Sequence, residues 1–183
     1  MSEEEQWVHM RDYLMVELLY QTGMRRAELA GLTDQSIDFS AKTIRVFGKR
    51  KKERLIPIES ELVNNIKRYF SLKKEIDVEG DALFTDRKGK PITGGMIYYI
   101  VKKYMRVLSV SEKTSPHVFR HTFATGMLNE GANIDAIKEL LGHGSLTATE
   151  IYTHVTREHL KEAYRHSHPR ARKQRTKPAG PAK

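Results

Sequence analysis

One short region is the only part of this chain with strand-like patterning, and it restricts the fold to a helical domain with a small sheet. β-Branched and apolar residues occur at 37–39, 43–47 and 54–58, separated by the turn-prone residues 40–42 and the charged run 48–52. Elsewhere apolar residues recur at three- and four-residue intervals, which is typical of helices. The sequence therefore predicts a mainly α-helical domain with a small three-stranded antiparallel β-sheet.

Start and stop signals place the helices. Ser2 and Glu5 have the spacing of a capping box, and the helix that follows should end near Gly23. A short second helix is expected over 25–30. Further helical stripes lie around 62–70, 97–108, 116–128 and 134–141 and, in two shorter segments, around 152 and 160–164. Ser115 should cap the helix that begins at Pro116, and the helix over 134–141 should be capped by Asn133 and ended by Gly142.

Length and charge limit the size of the protein and its partners. The 183 residues are enough for one compact domain, which we place at 1–166. The net charge of +9 favours a polyanionic partner, although charge alone does not separate DNA from RNA or an acidic membrane. The tail at 167–183 is basic, contains no acidic residue and is interrupted by proline, so we expect it to be disordered.

The composition argues against export and against a membrane location. Cysteine is absent, which excludes disulfides and thiolate metal sites. The acidic N-terminus lacks a secretory pattern, and the apolar stretch 13–20 is far shorter than the roughly 20 residues that span a bilayer. We expect a cytoplasmic, nucleoid-associated protein with no membrane partner.

Three histidine-containing motifs lie close together in the second half of the chain. They are His-Val-Phe-Arg-His-Thr at 117–122, Leu-Gly-His-Gly at 141–144 and Ile-Tyr-Thr-His at 151–154. Cleavage of a phosphodiester needs positive charge at the nonbridging oxygens, a nucleophile and a proton for the leaving oxygen. No convincing carboxylate cluster accompanies these motifs, and no phosphate-binding loop is present, so we predict a site without metal or cofactor. Arginine and histidine would supply the charge, and a tyrosine would form a reversible covalent link to DNA.

These motifs resemble those of the tyrosine recombinase (integrase) family, and within it the Xer-like recombinases. Thr-Gly-Met-Arg-Arg-Ala-Glu-Leu at 22–29 resembles the segment with the first catalytic arginine, and Gly-Lys at 48–49 resembles the β-hairpin lysine. Residues 116–125 resemble the His-x-x-Arg helix, and 141–154 resemble the segment with the second histidine and the nucleophile. The resemblance covers about 10–165 and implies the fold of DNA breaking-rejoining enzymes.

The resemblance assigns the residues that act on the phosphate. It implies that Tyr152 attacks the scissile phosphate to give a 3′-phosphotyrosyl link and a 5′-hydroxyl. Arg25, Arg120 and His143 would hold the nonbridging oxygens. Arg26 is an alternative first arginine, but the family's Gly-x-Arg spacing selects Arg25.

The resemblance also assigns the proton carriers. Lys49 would protonate the 5′-oxygen as general acid, with Lys51 or Lys52 as substitutes. His117 would assist removal of the tyrosine proton. Glu28 and His121 would support these groups without touching the phosphate. The cations predicted to contact DNA around the hairpin are Lys42, Arg45, Arg50, Lys51, Lys52 and Arg54.

The resemblance extends to assembly. We expect a homotetramer on paired sites in double-stranded DNA, and a monomer is one possible state of the protein when DNA is absent. The helix around 156–166 could be exchanged with a neighbouring subunit or could pack on its own domain. Relatives have an N-terminal DNA-clamping domain, and we expect this sequence to begin where that domain would end.

The leading hypothesis is a site-specific DNA recombinase, with Xer-like dimer resolution as one possible role. Two alternatives are a type IB topoisomerase-like activity, which shares the tyrosine chemistry, and a non-catalytic DNA-binding protein on the same scaffold.

Overall fold

The computed structural model describes residues 2–48, 52–76, 80–108 and 116–142. In these ranges two α-helices precede a single sheet and four α-helices follow it. The helices are α1 Glu3–Thr22, α2 Arg26–Ala30, α3 Ser60–Glu75, α4 Gly94–Leu108, α5 Pro116–Asn129 and α6 Ile134–Leu141, and the strands are β1 Ile37–Asp38, β2 Thr43–Phe47 and β3 Glu53–Pro57. The prediction of a mainly helical domain with a three-stranded antiparallel sheet is confirmed.

The predicted limits of α1 are confirmed. Ser2 Oγ accepts a hydrogen bond from the Glu5 backbone N–H at 3.2 Å, and Glu5 Oε2 accepts from the Ser2 N–H at 2.8 Å. This capping box satisfies two donors that the first turn leaves unpaired. At the other end, Gly23 adopts φ 61° and its N–H donates to the Leu19 carbonyl, which ends the helix.

The sheet has the order β1-β2-β3, and both pairings are antiparallel. The first strand is shorter than predicted because Asp38 starts a turn: its Oδ1 accepts from Ser40 Oγ and from the Ala41 N–H, both at 2.7 Å. The third strand begins one residue earlier than predicted and ends at Pro57. Between the end of β2 and the start of β3, the Gly48 N–H donates to the Lys52 carbonyl at 2.8 Å and closes the hairpin.

A large apolar core joins α1 to α3, α4, α5 and the sheet. Trp7, Leu14 and Leu18 of α1 are fully buried there, so α1 is the central element of the fold. At the edge of this core, Lys73 Nζ bonds both carboxylate oxygens of Asp34 at 2.9 Å and the Ala82 carbonyl at 2.7 Å. This partly buried ion pair fixes the end of α3 to the neighbouring loops.

A second, smaller apolar cluster joins α5 to α6. It consists of Phe123, Met127, Ile137, Leu140 and Leu141. The predicted cap of α6 is confirmed, because Asn133 Oδ1 accepts from the Asp135 N–H at 2.8 Å. Gly142, at φ 66°, ends the helix as predicted. Helix α6 also packs against β3, and this contact brings it to the sheet.

Several predictions concern residues outside the described ranges. They include the helices around 152 and 160–164, the cap at Ser115 and the tail at 167–183. Within the described ranges, none of the helices has the length and apolar character required to cross a bilayer.

Gly23 offers a test of how closely α1 and α5 pack. A Cβ at Gly23 would lie 2.7 Å from Phe123 Cδ1 and 2.9 Å from Leu141 Cδ2. Gly131 also has a left-handed φ of 84°, but nothing lies within 4 Å of an added Cβ. Gly131→Ala should therefore cost only the backbone strain of about 1–2 kcal/mol. Gly23→Ala should cost about 1–3 kcal/mol more from overpacking, measured by urea unfolding. Equal losses would contradict the packing described.

Candidate active site

Arg25 and Glu28 face each other at the start of α2. Arg25 is the N-cap, with an extended backbone at φ −73° and ψ 149°, so the helix begins one residue later than predicted. Its N–H donates to Glu28 Oε2 at 2.7 Å, and its Nη1 donates to Glu28 Oε1 at 2.9 Å. The Glu28 carboxylate therefore fixes both the backbone and the guanidinium of Arg25.

Arg54 is the second partner of this carboxylate, and its position corrects the prediction that it contacts DNA. Its Nη1 and Nη2 donate to the two oxygens of Glu28 at 2.8 and 2.7 Å, and its Nε donates to the Leu140 carbonyl at 2.8 Å. Only 5% of Arg54 is exposed, because it is paired with the buried Val46 on the inner side of the hairpin. Its guanidinium bonds within the protein and is not part of the exposed hairpin surface.

Four hydrogen bonds saturate the Glu28 carboxylate, which is 7% exposed. Burial alone would raise its pKa. The hydrogen bonds from Arg54 and Arg25, together with the charge of Arg54, outweigh burial and hold the pKa of Glu28 below its usual value. Glu28 is therefore a fixed anion at neutral pH.

Arg120, in α5, joins the end of α1 to the end of α6. Its Nη1 donates to the Gly23 carbonyl at 2.9 Å, and its Nη2 donates to the Leu141 carbonyl at 2.6 Å. Burial, followed by repulsion from Arg25, lowers the pKa of Arg120 to about 10, although Glu28 acts in the opposite direction. Arg120 stays protonated at neutral pH, and Arg25 is close enough for the two charges to repel.

Arg26 is directed away from this group. Its guanidinium carbon lies 5.9 Å from the ring centre of Tyr98 in α4, and its side chain borders Gly94 at the start of that helix. The side chains of Arg25 and Arg26 therefore have different partners. Of these two, only Arg25 contacts Glu28 through its guanidinium. This geometry supports the choice of Arg25 that the motif spacing suggests.

Two glycines bring further segments to the Glu28–Arg54 pair. A Cβ at Gly48 would lie 3.6 Å from Glu28 Oε1, and a Cβ at Gly142 would lie 3.1 Å from Arg54 Nη1. Gly48 precedes Lys49, and Gly142 precedes His143. The chain therefore leads from this ion pair directly to two residues that the sequence assigns to the chemistry.

The remaining residues predicted to take part in catalysis differ in what the structure describes. His117 is exposed in the first turn of α5, three residues before Arg120, and His121 is exposed one turn later. Lys49, His143 and Tyr152 lie outside the described residues. The roles of all five stay predictions.

The cations predicted to contact DNA around the hairpin occupy different positions. Arg45 and Lys52 are exposed, and Arg45 Nε lies 3.4 Å from Glu53 Oε1. Lys42 donates from Nζ to Ser60 Oγ at 2.8 Å, at the end of β2 away from Gly48. Two further positions, Arg50 and Lys51, lie outside the described residues.

Sequence reasoning missed the role of Arg54 and the main-chain acceptors of Arg120. Arg54 had a usable signal, because it lies two positions before the buried Ile56, on the same face of β3, and should therefore face the core. The carbonyls of Gly23 and Leu141 had none, since every residue carries such a group. Only the packing of α1, α5 and α6 selects them.

Comparison with known proteins identifies the family. The model of the phage integrase family matches residues 1–159. The chain belongs to the phage integrase family. The resemblance drawn from the sequence is therefore confirmed. In this structure Arg25 and Arg120, which come from two separate sequence motifs, lie near each other.

Relatives of this integrase-family chain include tyrosine recombinases. It is 40% identical over 172 residues to tyrosine recombinase XerC of Thermodesulfovibrio yellowstonii, an alignment that covers 91% of this chain and 57% of the relative. It is 41% identical over 166 residues to XerC of Anoxybacillus flavithermus, covering 88% and 55%. The chain thus spans somewhat more than half the length of the curated relatives it matches.

Solved structures show the same fold. The crystal structure of XerA recombinase matches with a TM-score of 0.69 at 30% identity, covering 92% of this chain and 65% of that one. The XerH site-specific recombinase bound to palindromic difH substrate, a post-cleavage complex, also matches with a TM-score of 0.69, at 28% identity, covering 90% and 47%. The predicted recombinase catalytic-domain fold is confirmed.

The buried Glu28 charge predicts a specific dependence of stability on pH. Glu28→Gln should lower the free energy of unfolding at pH 7 by about 3–5 kcal/mol, because it leaves the Arg54 charge without its anion. Since the folded-state pKa of Glu28 is lowered, its contribution is present above the ordinary glutamate pKa of about 4.3 and is lost as pH falls through the folded-state value. The difference between variant and wild type in urea unfolding should therefore shrink below about pH 4.

The control is Asp135→Asn, which removes an exposed partner of Lys138. It should change the free energy of unfolding by less than about 1 kcal/mol both at pH 7 and below about pH 4. A Glu28→Gln deficit that stays constant down to pH 3 would contradict the proposed ion pair.

Proposed function

We propose that this chain is the catalytic domain of a site-specific tyrosine recombinase that cuts and rejoins DNA through a 3′-phosphotyrosyl intermediate. The observation that carries the proposal is the meeting of Arg25 and Arg120. They are 95 positions apart in sequence, yet Arg120 Nη1 donates at 2.9 Å to the carbonyl of Gly23, which is two residues before Arg25. The names of the relatives support the same activity.

The arginine pair suits a phosphodiester. A guanidinium carries five N–H donors in a planar fork, and Glu28 accepts from one donor of the Arg25 guanidinium. The Arg25 side chain is 35% exposed, so its outer edge faces solvent. Both arginines are held by the protein before any substrate binds, and this preorganisation is what stabilises charge that develops in a transition state.

The proposed reaction is a reversible exchange of phosphodiesters. The Tyr152 hydroxyl forms a bond to the scissile phosphorus, and the bond to the 5′-oxygen breaks. His117 assists departure of the phenol proton, and Lys49 donates a proton to the leaving 5′-oxygen. Attack by a 5′-hydroxyl on the phosphotyrosine reverses the step and releases Tyr152. The link conserves the free energy of the broken bond, so the exchange needs no nucleotide cofactor.

The proposed substrate is double-stranded DNA. XerH is described as bound to its difH substrate, and the Tn1549 transposon integrase as a complex with transposon right end DNA. The net charge of +9 on this chain suits the same partner. Exchange between two sites would engage four copies, so we propose a homotetramer on paired sites.

Recombination is favoured over the two alternatives. The relatives and structures named above are recombinases, and the comparisons do not favour topoisomerase-like relaxation. A non-catalytic binding protein would have no need of two buried or half-buried arginines held by carboxylate and carbonyl acceptors. Relaxation of supercoiled DNA without recombinant products would reverse this preference.

A covalent adduct tests the proposed chemistry directly. The substrate is a pool of duplexes with a nick beside a randomised cleavage region, so that the short fragment diffuses away after cleavage and religation is prevented. Wild type should give a protein–DNA band that survives denaturing electrophoresis, and Tyr152→Phe should give none. Sequencing of the trapped DNA would then define the target. Absence of adduct with wild type would refute the proposal.

Adjacent arginines provide a matched pair of variants. Arg25→Ala should lower the rate of adduct formation by about 100-fold or more, because it removes a donor aimed at the phosphate. Arg26→Ala should change it by less than about threefold, since the Arg26 side chain packs beside Tyr98 in α4. The measurement is single-turnover formation of the covalent band at saturating protein. Equal losses would show that Arg25 has no special role.

A further inference from the structure

Arg54 is more deeply buried than Arg25 and Arg120, and it contacts two separate parts of the site. It donates two hydrogen bonds to Glu28 and one to the Leu140 carbonyl at the end of α6. It belongs to β3, so a single side chain connects the sheet, the start of α2 and the end of α6. None of these contacts requires DNA.

We propose that Arg54 is a positioning residue for strand cleavage, which orients Arg25 through Glu28 and fixes the end of α6 through the Leu140 carbonyl. The inference rests on the proposed function, because its effect is exerted on the cleavage step. It assigns Arg54 no contact with DNA.

The first part of the argument is the geometry of the carboxylate. Arg54 binds both oxygens of Glu28 at 2.7–2.8 Å in a planar fork, and such a fork fixes the plane of the carboxylate as well as its place. Oxygen Oε1, held by Arg54 Nη1, is the atom that accepts from Arg25 Nη1 at 2.9 Å. Without the fork, the carboxylate could rotate, and the Arg25 guanidinium would turn with it.

The second part is the end of α6. The last carbonyls of a helix have no partner within the helix. Arg54 Nε satisfies the Leu140 carbonyl, and Arg120 Nη2 satisfies that of Leu141. Gly142 then turns away with φ 66°, and a Cβ there would lie 3.1 Å from Arg54 Nη1, so the turn packs directly on the guanidinium. The direction in which the chain leaves α6 toward His143 therefore depends on Arg54.

The third part concerns energetics. Removing two charges from water costs several kcal/mol per ion, and apolar residues of similar volume often stabilise a core as well or better. A stabilising role alone therefore gives little reason for a buried Arg54–Glu28 pair. A role in orientation does, because an apolar pair could fix neither Arg25 nor the Leu140 carbonyl.

The experiment compares two buried cations with the same pattern of acceptors. Arg54 bonds a carboxylate and a carbonyl, and so does Lys73, through Asp34 and Ala82, at the edge of the main core. Arg54→Met should lower the single-turnover rate of adduct formation by about 100-fold, the loss expected when a reacting group is misplaced by about 1 Å. Lys73→Met should lower it by less than about threefold when both are assayed well below their melting temperatures.

Arg54→Lys keeps a positive charge but cannot form the planar fork. It keeps the test informative if Arg54→Met fails to fold. It should cleave about tenfold more slowly than wild type. DNA affinity, measured by fluorescence anisotropy, should stay within about threefold of wild type in both Arg54 variants. The expected effect is thus on the cleavage rate and not on binding.

A pH profile separates orientation from stability. The charged groups facing Glu28 are Arg54 from β3, Arg25 at the N-cap of α2 and Arg120 from α5. When Arg54 is replaced by Met, burial raises the pKa of Glu28 with only Arg25 and Arg120 to oppose it. The cleavage rate of Arg54→Met should then fall with decreasing pH in a range where wild type is flat. In Arg54→Met combined with Glu28→Gln this acidic limb should disappear while the rate stays low.

The outcomes are distinct. A wild-type adduct together with slow cleavage by Arg54→Met and Arg54→Lys, an acidic limb and a near-normal Lys73→Met supports the inference. A wild-type adduct with equal losses in Arg54→Met and Lys73→Met, or a pH-independent loss, overturns it and leaves the proposed function intact. No adduct with wild type overturns the proposed function and, with it, this inference.

Discussion

The Glu28 carboxylate is the interaction on which the arrangement of the site depends. It is one buried anion among several cations, and each of its oxygens bonds both to Arg25 and to Arg54. Without it, guanidinium groups from α2, β3 and α5 would repel one another across a poorly solvated space. With it, positive charge can be concentrated at one place on the surface of a small domain. The N-cap of α2 and the inner face of the hairpin both provide hydrogen-bond donors to this carboxylate.

The end of α6 shows how the site draws on the whole fold. This helix has only eight residues and would be marginal by itself. Its apolar side packs on Phe123 and Met127 of α5, and its last two carbonyls are held by arginines from β3 and α5. Positive side chains at a helix C-terminus also complement the helix dipole. The position of α6 is therefore set by groups that belong to other elements, and α1 supports those elements from the core.

Local signals made most of the fold predictable. The capping box at Ser2, the stop at Gly23 and the cap at Asn133 each depend on residues within a few positions, and all three are confirmed. The site was harder to predict. Arg54 was grouped with the other cations around the hairpin, because neighbouring charge was weighed above its position on the same strand face as Ile56. The acceptors of Arg120 are main-chain carbonyls, whose role depends on how α1, α5 and α6 come together, and no residue type marks them.

The shared carboxylate also limits how this sequence can diverge. Replacing Glu28 alone leaves Arg54 buried without its counterion, and replacing Arg54 alone leaves the buried Glu28 with only the half-exposed Arg25 as partner. Replacing both together can leave the interior neutral. Divergence at the two positions should therefore proceed by paired replacements, with each intermediate carrying a folding defect. Because Arg25 shares the same anion, even a well-packed neutral pair would change the setting of a proposed catalytic group. Positions 28 and 54 are thus expected to drift far more slowly than the exposed hairpin residues Arg45 and Lys52.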